Sequence, residues 1–348
     1  MREFGSDFHY IDSYSKEGKR LYDYYPSANY YADGRQPLIH LYESQGWKRL
    51  WVPEYFCYDV ITSLKEAGLE IVFYTDFPGY KDDDATLGSI QKKGHFRHTD
   101  AVLRVNYFGL RAYRSYENLP VAAVIEDHTH DLIGDWARKS TADWCIASLR
   151  KTLPVPEGGV LWSPKGLKLP DPPVSLEKNE DIASIRWEAM EKKARYLAGD
   201  DMEKSSFRFG YVDTEEFFDT CDVCALDRRS REYLSSFDIL SWYQKKKTNW
   251  SLLKNLSCED LEVLMPEDSN CYPFSLVLVF DSRNRRDRVR KALIDSNVYP
   301  AILWYIPSPA EGDVLMMSNN MLSIHCDGRY SEEDIEQLKL IIQKVIEL

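Results

Sequence analysis

The chain has 348 residues, 44% of them hydrophobic and 29% charged, a composition that supports one large or two modest globular units with a full core. Its 44 basic residues stand against 56 acidic ones, a net charge of −12, which excludes the broad basic face that a nucleic-acid binder needs. No apolar run approaches the roughly 20 residues of a membrane span, and "MREFGSDFHY" lacks the apolar core of a signal peptide.

Residues 1–29 read as an N-terminal arm. Residues 30–175 then alternate helical and strand patterns, the signature of a parallel sheet covered by helices. "GRQPLIHLYESQG" is a helix with Pro37 in its first turn and Gly46 past its end. "RLWVP" reads as a strand and "DVITSLKEAGL" as a helix closed by Gly68. The strands "EIVFYTD", "AVLRVNYFG", "VAAVIED", "WCIAS" and "GVLW" follow. The fold class is α/β: a three-layer α/β/α unit with a mostly parallel sheet, whose strand carboxyl edges gather the loops that bind ligands.

The proline-rich, charged stretch from Leu167 to Asp181 marks a boundary, and residues 176–348 read as a helical segment plus a smaller α+β unit. Within it, "YPFSLVLVFDS" and "MLSIHCDGRY" are strands. "RNRRDRVRKALIDSN" is a helix with a solvated basic face. The chain ends in a helix whose first-turn amides Ser331 and Asp334 can satisfy. Seven scattered cysteines, an odd number, fit reduced thiols in the cytoplasm better than a disulfide framework. Cys221 and Cys224 form a C-x-x-C, but there is no second pair and no histidine between residues 131 and 324, so no metal site is expected.

Three groups carry chemistry. Gly34 and Arg35 open a helix after a turn, where backbone N–H groups and the helix dipole suit a phosphate, although such a turn is also ordinary capping. The apolar strand "VAAVIED" ends in Asp127, with His128 and His130 beyond it. "SLRKTLPVPEGG" sets Ser148 three residues before Lys151, an amine that is costly to bury unless something uses it. The ordered set matches the needs of pyridoxal 5′-phosphate: amides and a hydroxyl for its phosphate, an acid for its pyridine nitrogen and a lysine for its aldehyde.

The sequence here resembles the pyridoxal-phosphate enzymes of the aspartate-aminotransferase fold (fold type I), and among them the DegT/DnrJ/EryC1/StrS sugar aminotransferases. "LWVPEYFCYDVITSLKEAGLEIVFYTD", "VNYFG", "VIEDHTH" and "SLRKTLPVPEGGVL" carry the resemblance, most clearly over residues 30–165. It implies that Lys151 is the Schiff-base lysine and proton shuttle and that Asp127 pairs with the pyridinium nitrogen. His130 would lie near the phenolic oxygen, and Ser148 would bind the phosphate with the amides of Gly34 and Arg35. The ring-stacking position counts to Cys57, beside Phe56. Arg329 is a candidate grip for a substrate carboxylate or phosphate, and Asn249 a stand-in for a segment that reaches the neighbouring site. "DGR", "EDHTH" and the three-residue Ser-to-Lys spacing depart from the family's common forms and mark an outlying subgroup.

The resemblance further implies a cytoplasmic homodimer that moves an amino group from glutamate to a keto group of a nucleotide-linked sugar in polysaccharide biosynthesis, with neither nucleic acid nor membrane as partner. Two other classes stay open: a lyase or dehydratase using the same cofactor, and a catalytically silent relative that binds a partner or small molecule. The family's sugar dehydratases carry histidine in place of the lysine, so the retained Lys151 favours transamination.

Overall fold

Short apolar runs bounded by turn residues become the strands of a central sheet. The computed structural model describes residues 3–12, 18–80, 96–113, 121, 123–220, 222–307 and 312–347. The first elements are β1 (Phe4–Gly5), α1 (Leu21–Tyr24), β2 (Asn29–Tyr31), α2 (Gln36–Gln45), β3 (Arg49–Pro53) and α3 (Tyr58–Glu66). Next come β4 (Glu70–Tyr74), β5 (Asp100–Val105), β6 (Ala123–Asp127), α4 (Asp135–Lys139), β7 (Trp144–Ser148) and β8 (Gly159–Trp162). Strands β2 to β8 form one seven-stranded sheet in the order β2-β8-β7-β6-β5-β3-β4. Strands β3 to β7 run parallel, whereas β8 and β2 close one side antiparallel.

Alternate residues of these strands enter two separate cores, which shows that both faces are covered. Ile146 and Leu161 join Leu38, Leu41, Ile61 and Leu64 of α2 and α3. Their neighbours Cys145, Ala147, Val160 and Trp162 pack on the other face against Trp187, Met190, Trp242 and Tyr243. Strands buried on both faces need near-continuous apolar runs, which "WCIA" supplies outright and "AVLRV" supplies with its one charge, Arg104, paired to Glu126 at 3.0 Å. Helix α2 carries Pro37 at its start and stops where Gly46 takes φ 68°, its amide closing on the Tyr42 carbonyl.

The second half holds α5 (Glu177–Ala198), α6 (Ser205–Val212), α7 (Glu215–Thr220), α8 (Arg228–Ser236) and α9 (Ile239–Leu253). It continues with β9 (Leu261–Val263), β10 (Leu276–Phe280), α10 (Arg283–Asp295), β11 (Val298–Tyr299), α11 (Gly312–Asn320), β12 (Met321–Ile324) and α12 (Glu332–Ile346). Strands β12, β10 and β9 form an antiparallel sheet. Ser331 and Asp334 cap α12 reciprocally, and Ile335, Leu338 and Ile342 are fully buried beneath it.

The N-terminal arm is tied in rather than free: β1 pairs with β11, and Phe4 is buried in the core under α12. Helix α10 buries Val289 and Leu293 in the core and leaves its basic face solvated except at Arg286, which is buried. Cys57, Cys145, Cys224, Cys258, Cys271 and Cys326 are free thiols, while Cys221, and with it the C-x-x-C reading, lies outside the described residues. Among the described residues no helix is long and apolar enough to cross a membrane.

Candidate functional site

The carboxyl ends of β5, β6 and β7 open onto one cavity of about 150 Å³. Gly34, Arg35, Phe56, Cys57, Asp127, His130, Ser148 and Lys151 all line it. Asp127 ends β6 and accepts the Thr129 amide at 2.8 Å. Burial pushes its carboxyl above the usual range, against the opposing pull of Thr129 and His128. Among the described residues no lysine or arginine pairs with it. The Thr129 hydroxyl accepts the Ser148 amide at 2.9 Å, so one threonine locks the ends of β6 and β7 together.

Lys151 closes a 3₁₀ turn after β7. Its neighbour Thr152 is held twice by α9: Trp242 Nε1 donates to the Thr152 carbonyl at 2.9 Å, and the Tyr243 hydroxyl meets Thr152 Oγ1 at 3.1 Å. The lysine is deep in the molecule yet its side chain is accessible, because it projects into cavity space. The Arg150 guanidinium, and then burial, hold its amine below the ordinary lysine range, against Cys57, Glu215 and Asp33. A lowered pKa keeps more of the amine in its nucleophilic form.

The approach of β7 to the start of α2 depends on Gly34. A methyl group there would lie 2.4 Å from Ser148 Cβ, so only glycine lets the loop come so close to that serine. The Ser148 hydroxyl and the Gly34 amide make no hydrogen bond to the described residues. The Arg35 amide differs from expectation: the Asp33 carboxylate already accepts it at 3.0 Å and also takes Arg35 Nε at 3.1 Å. The Asp33 side chain, closing an Asx turn just before the helix, occupies the donor that was expected to serve a phosphate.

His130 Nδ1 accepts the Phe108 amide at 2.9 Å, so the proton of its neutral ring is on Nε2. Its ring stacks between Phe108 (centroids 5.2 Å apart) and Trp304 (5.6 Å), with Phe274 at 4.5 Å. Burial, with Lys246 and Lys151 adding to it, pushes its pKa down to about 3, so it acts as a neutral donor. Phe56 and Trp304 wall the cavity with their centroids 6.0 Å apart. Cys57 precedes α3, and burial raises its thiol pKa. Thr129, Asp33, Glu215 and Phe274 also line the cavity and were not singled out in the sequence. Thr129 lay in view within "EDHTH", whereas Glu215 sits in a polar helical stretch with no motif around it.

Arg329 and Asn249, the two expected substrate contacts, lie elsewhere. Arg329 is held on Asp327 at 2.9 and 3.0 Å, donates to the carbonyls of Ser6 and Asp7, and faces a different polar cavity. Asn249 is fully buried and donates to the carbonyls of Asp327 and Tyr330 at 2.9 and 3.1 Å. Buried peptide carbonyls need donors, and these two side chains supply them. Beneath the site, Glu126, His128 and Cys145 bring ligand-type atoms within 4.8 Å of one another. Glu126 is already the partner of Arg104 at 3.0 Å and takes the Ser140 hydroxyl at 2.6 Å, so the cluster reads as a buried polar network.

No protein-family model matches the chain, and no curated protein matches its sequence. Solved structures do match it. PseC of Helicobacter pylori, an aminotransferase involved in the biosynthesis of pseudoaminic acid, is similar at 13% identity and a TM-score of 0.64, with 99% of this chain and 100% of that one covered. Spr1654 of Streptococcus pneumoniae, described as a sugar aminotransferase and solved in its PLP form, matches at 11% identity and 0.63 over 99% and 93%. A DegT/DnrJ/EryC1/StrS aminotransferase from Brucella abortus matches at 15% identity and 0.57 over 91% and 85%. The chain has the fold of these aminotransferases, fold type I of the pyridoxal-phosphate enzymes.

Proposed function

We propose that the chain is a pyridoxal-phosphate-dependent aminotransferase that moves an amino group from glutamate to a keto group of a nucleotide-linked sugar. The observation that carries this reading is the gathering of the Asp127 carboxylate, the Lys151 amine and the Gly34–Ser148 cradle on one cavity. The residues fit the cofactor. Ser148 Oγ and the Gly34 amide offer donors to a phosphate, and the buried Asp127, whose carboxyl is raised, suits a cationic ring nitrogen. The sugar and the amino donor come by analogy with the aminotransferases that share the fold, among them PseC.

When bound, the cofactor supplies an aldehyde and an electron-accepting ring. The Lys151 amine would anchor it, yield to the donor nitrogen, and then take a proton from the donor carbon at Nζ and deliver it to the carbon that carried the aldehyde. Asp127 would keep the proton on the ring nitrogen, and His130 Nε2 would donate to the phenolic oxygen. Phe56, Phe274 and Trp304 would give that space an apolar wall. We further propose a cytoplasmic homodimer, because enzymes of this fold complete their sites across a subunit interface.

The test follows cofactor absorbance. Addition of pyridoxal phosphate to the purified protein is expected to produce the near-visible band of lysine-bound cofactor, and glutamate to discharge it. Lys151→Ala is expected to lack the band and to slow the glutamate reaction at least about 100-fold. A protein with no band and no response to glutamate contradicts the reading.

A further inference from the structure

A second cavity, of about 230 Å³, meets the first at Arg150, Lys151, Phe274 and Leu303. At that junction two arginines share one carboxylate. Arg150 grips Glu215 in a fork, Nη2 to Oε1 at 2.7 Å and Nη1 to Oε2 at 3.3 Å, and Arg186 Nη1 reaches Oε2 at 3.1 Å. Both guanidiniums also lie over the Phe218 ring, at 5.2 and 5.0 Å.

The three members differ in how firmly they are held. Arg186 is 3% exposed, whereas the Glu215 side chain is 46% exposed at the start of the short α7. The hydrogen bonds of Arg186 all use Nη1. Its Nε is buried with no acceptor, although the residue lines the second cavity. Arg150 Nε also has Asp33 Oδ2 at 3.6 Å, but that carboxylate is shared with Arg35, so three buried arginines meet two carboxylates and are short of negative charge. The unpaired buried N–H of Arg186 costs free energy until an acceptor arrives. Glu215, which burial alone would raise, is held down to about 2 by Arg150 and Arg186, so its place favours a negative charge.

We propose that Arg150 and Arg186 form the subsite for the carboxylate of the amino-acid substrate, and that Glu215 occupies it until the substrate displaces it into solvent. This rests on the aminotransferase reading: an amino acid carries its carboxylate on the carbon next to the nitrogen that Lys151 must exchange, and Arg150 is the residue next to Lys151. The fork suits a planar carboxylate. The assignment also gives the carboxylate grip to residues that border Lys151, in place of Arg329.

The test is calorimetric titration of glutarate, a dicarboxylate with no amine to react, into the protein with saturating pyridoxal phosphate. Glu215→Gln removes the resident charge and is expected to tighten glutarate roughly tenfold, while Arg186→Lys keeps the charge, loses the guanidinium N–H donors aimed at the subsite and weakens it roughly tenfold. If Arg186→Lys does not fold, Glu215→Gln decides alone. Unchanged or weaker glutarate binding in Glu215→Gln overturns the proposal. So does a gain seen with inorganic pyrophosphate and not with glutarate, which would give the subsite to a phosphoryl group. A failed aminotransferase reading is distinguishable, because it removes the absorbance band and leaves the Glu215-dependent heat in place.

Discussion

At the scale of single residues, the site works through pairs that correct each other's chemistry. In the proposed role Lys151 would have to be a free base, and the charge of Arg150 is the largest influence holding its amine below the ordinary range. A protonated amine cannot attack an aldehyde. Removing the Arg150 charge raises the lysine pKa and moves cofactor capture to higher pH. The pH profile of the capture rate in Arg150→Gln is therefore expected to shift in the alkaline direction; an unchanged or acid-shifted profile contradicts this account of the amine. Residue types also explain the misreadings. Arg329 in "CDGRY" looked available, but Asp327 two residues earlier claims its guanidinium, and a partner at that spacing was in plain view. Glu215 could not be found from sequence at all, since its meaning depends on Arg150 and Arg186, 65 and 29 residues away.

Among the elements, α9 does more than its polar sequence announces. It holds Thr152 beside Lys151 through Trp242 and Tyr243, and it clamps residues 327–330 through Asn249. It also buries Lys246, whose Nζ makes no hydrogen bond and lies 3.9 Å from the centre of the Tyr243 ring. Burial brings this amine to about 8, against the pull of Asp131, Cys326 and Asp327. The unfolded chain keeps its proton up to about 10.4, so between these values it binds more protons than the fold, and stability rises with pH. Below pH 8 the buried charge costs about 3 kcal/mol. Lys246→Met is expected to raise the urea midpoint at pH 7.5 and to flatten the rise toward pH 10. A variant that is less stable at pH 7.5 with the slope intact contradicts this. Strands β3 to β8, β10 and β12 were legible from their short, mostly apolar runs, α2 from Pro37 and Gly46, and α3 from Gly68, whereas the three-residue β2 and β9 carried no such run. The pairing of β1 with β11 and helix α11 were not legible, since two-residue strands nearly 300 residues apart in sequence and a short mixed helix are specified by tertiary contacts.

For the whole molecule, the sheet edge that gathers Asp127, Ser148 and Lys151 follows from the parallel β5-β6-β7 order, which sends three carboxyl ends to one place. Sedimentation at micromolar concentration is expected to give twice the 40.6 kDa chain mass, and a single 40.6 kDa species contradicts the dimer. The central claim is that one amine in the molecule holds the cofactor. Its most direct measurement is borohydride reduction of the cofactor-loaded protein followed by peptide mass mapping. The account predicts the reduced pyridoxyl phosphate mass on Lys151, and its loss in Lys151→Ala. A label on another lysine, or none, contradicts it.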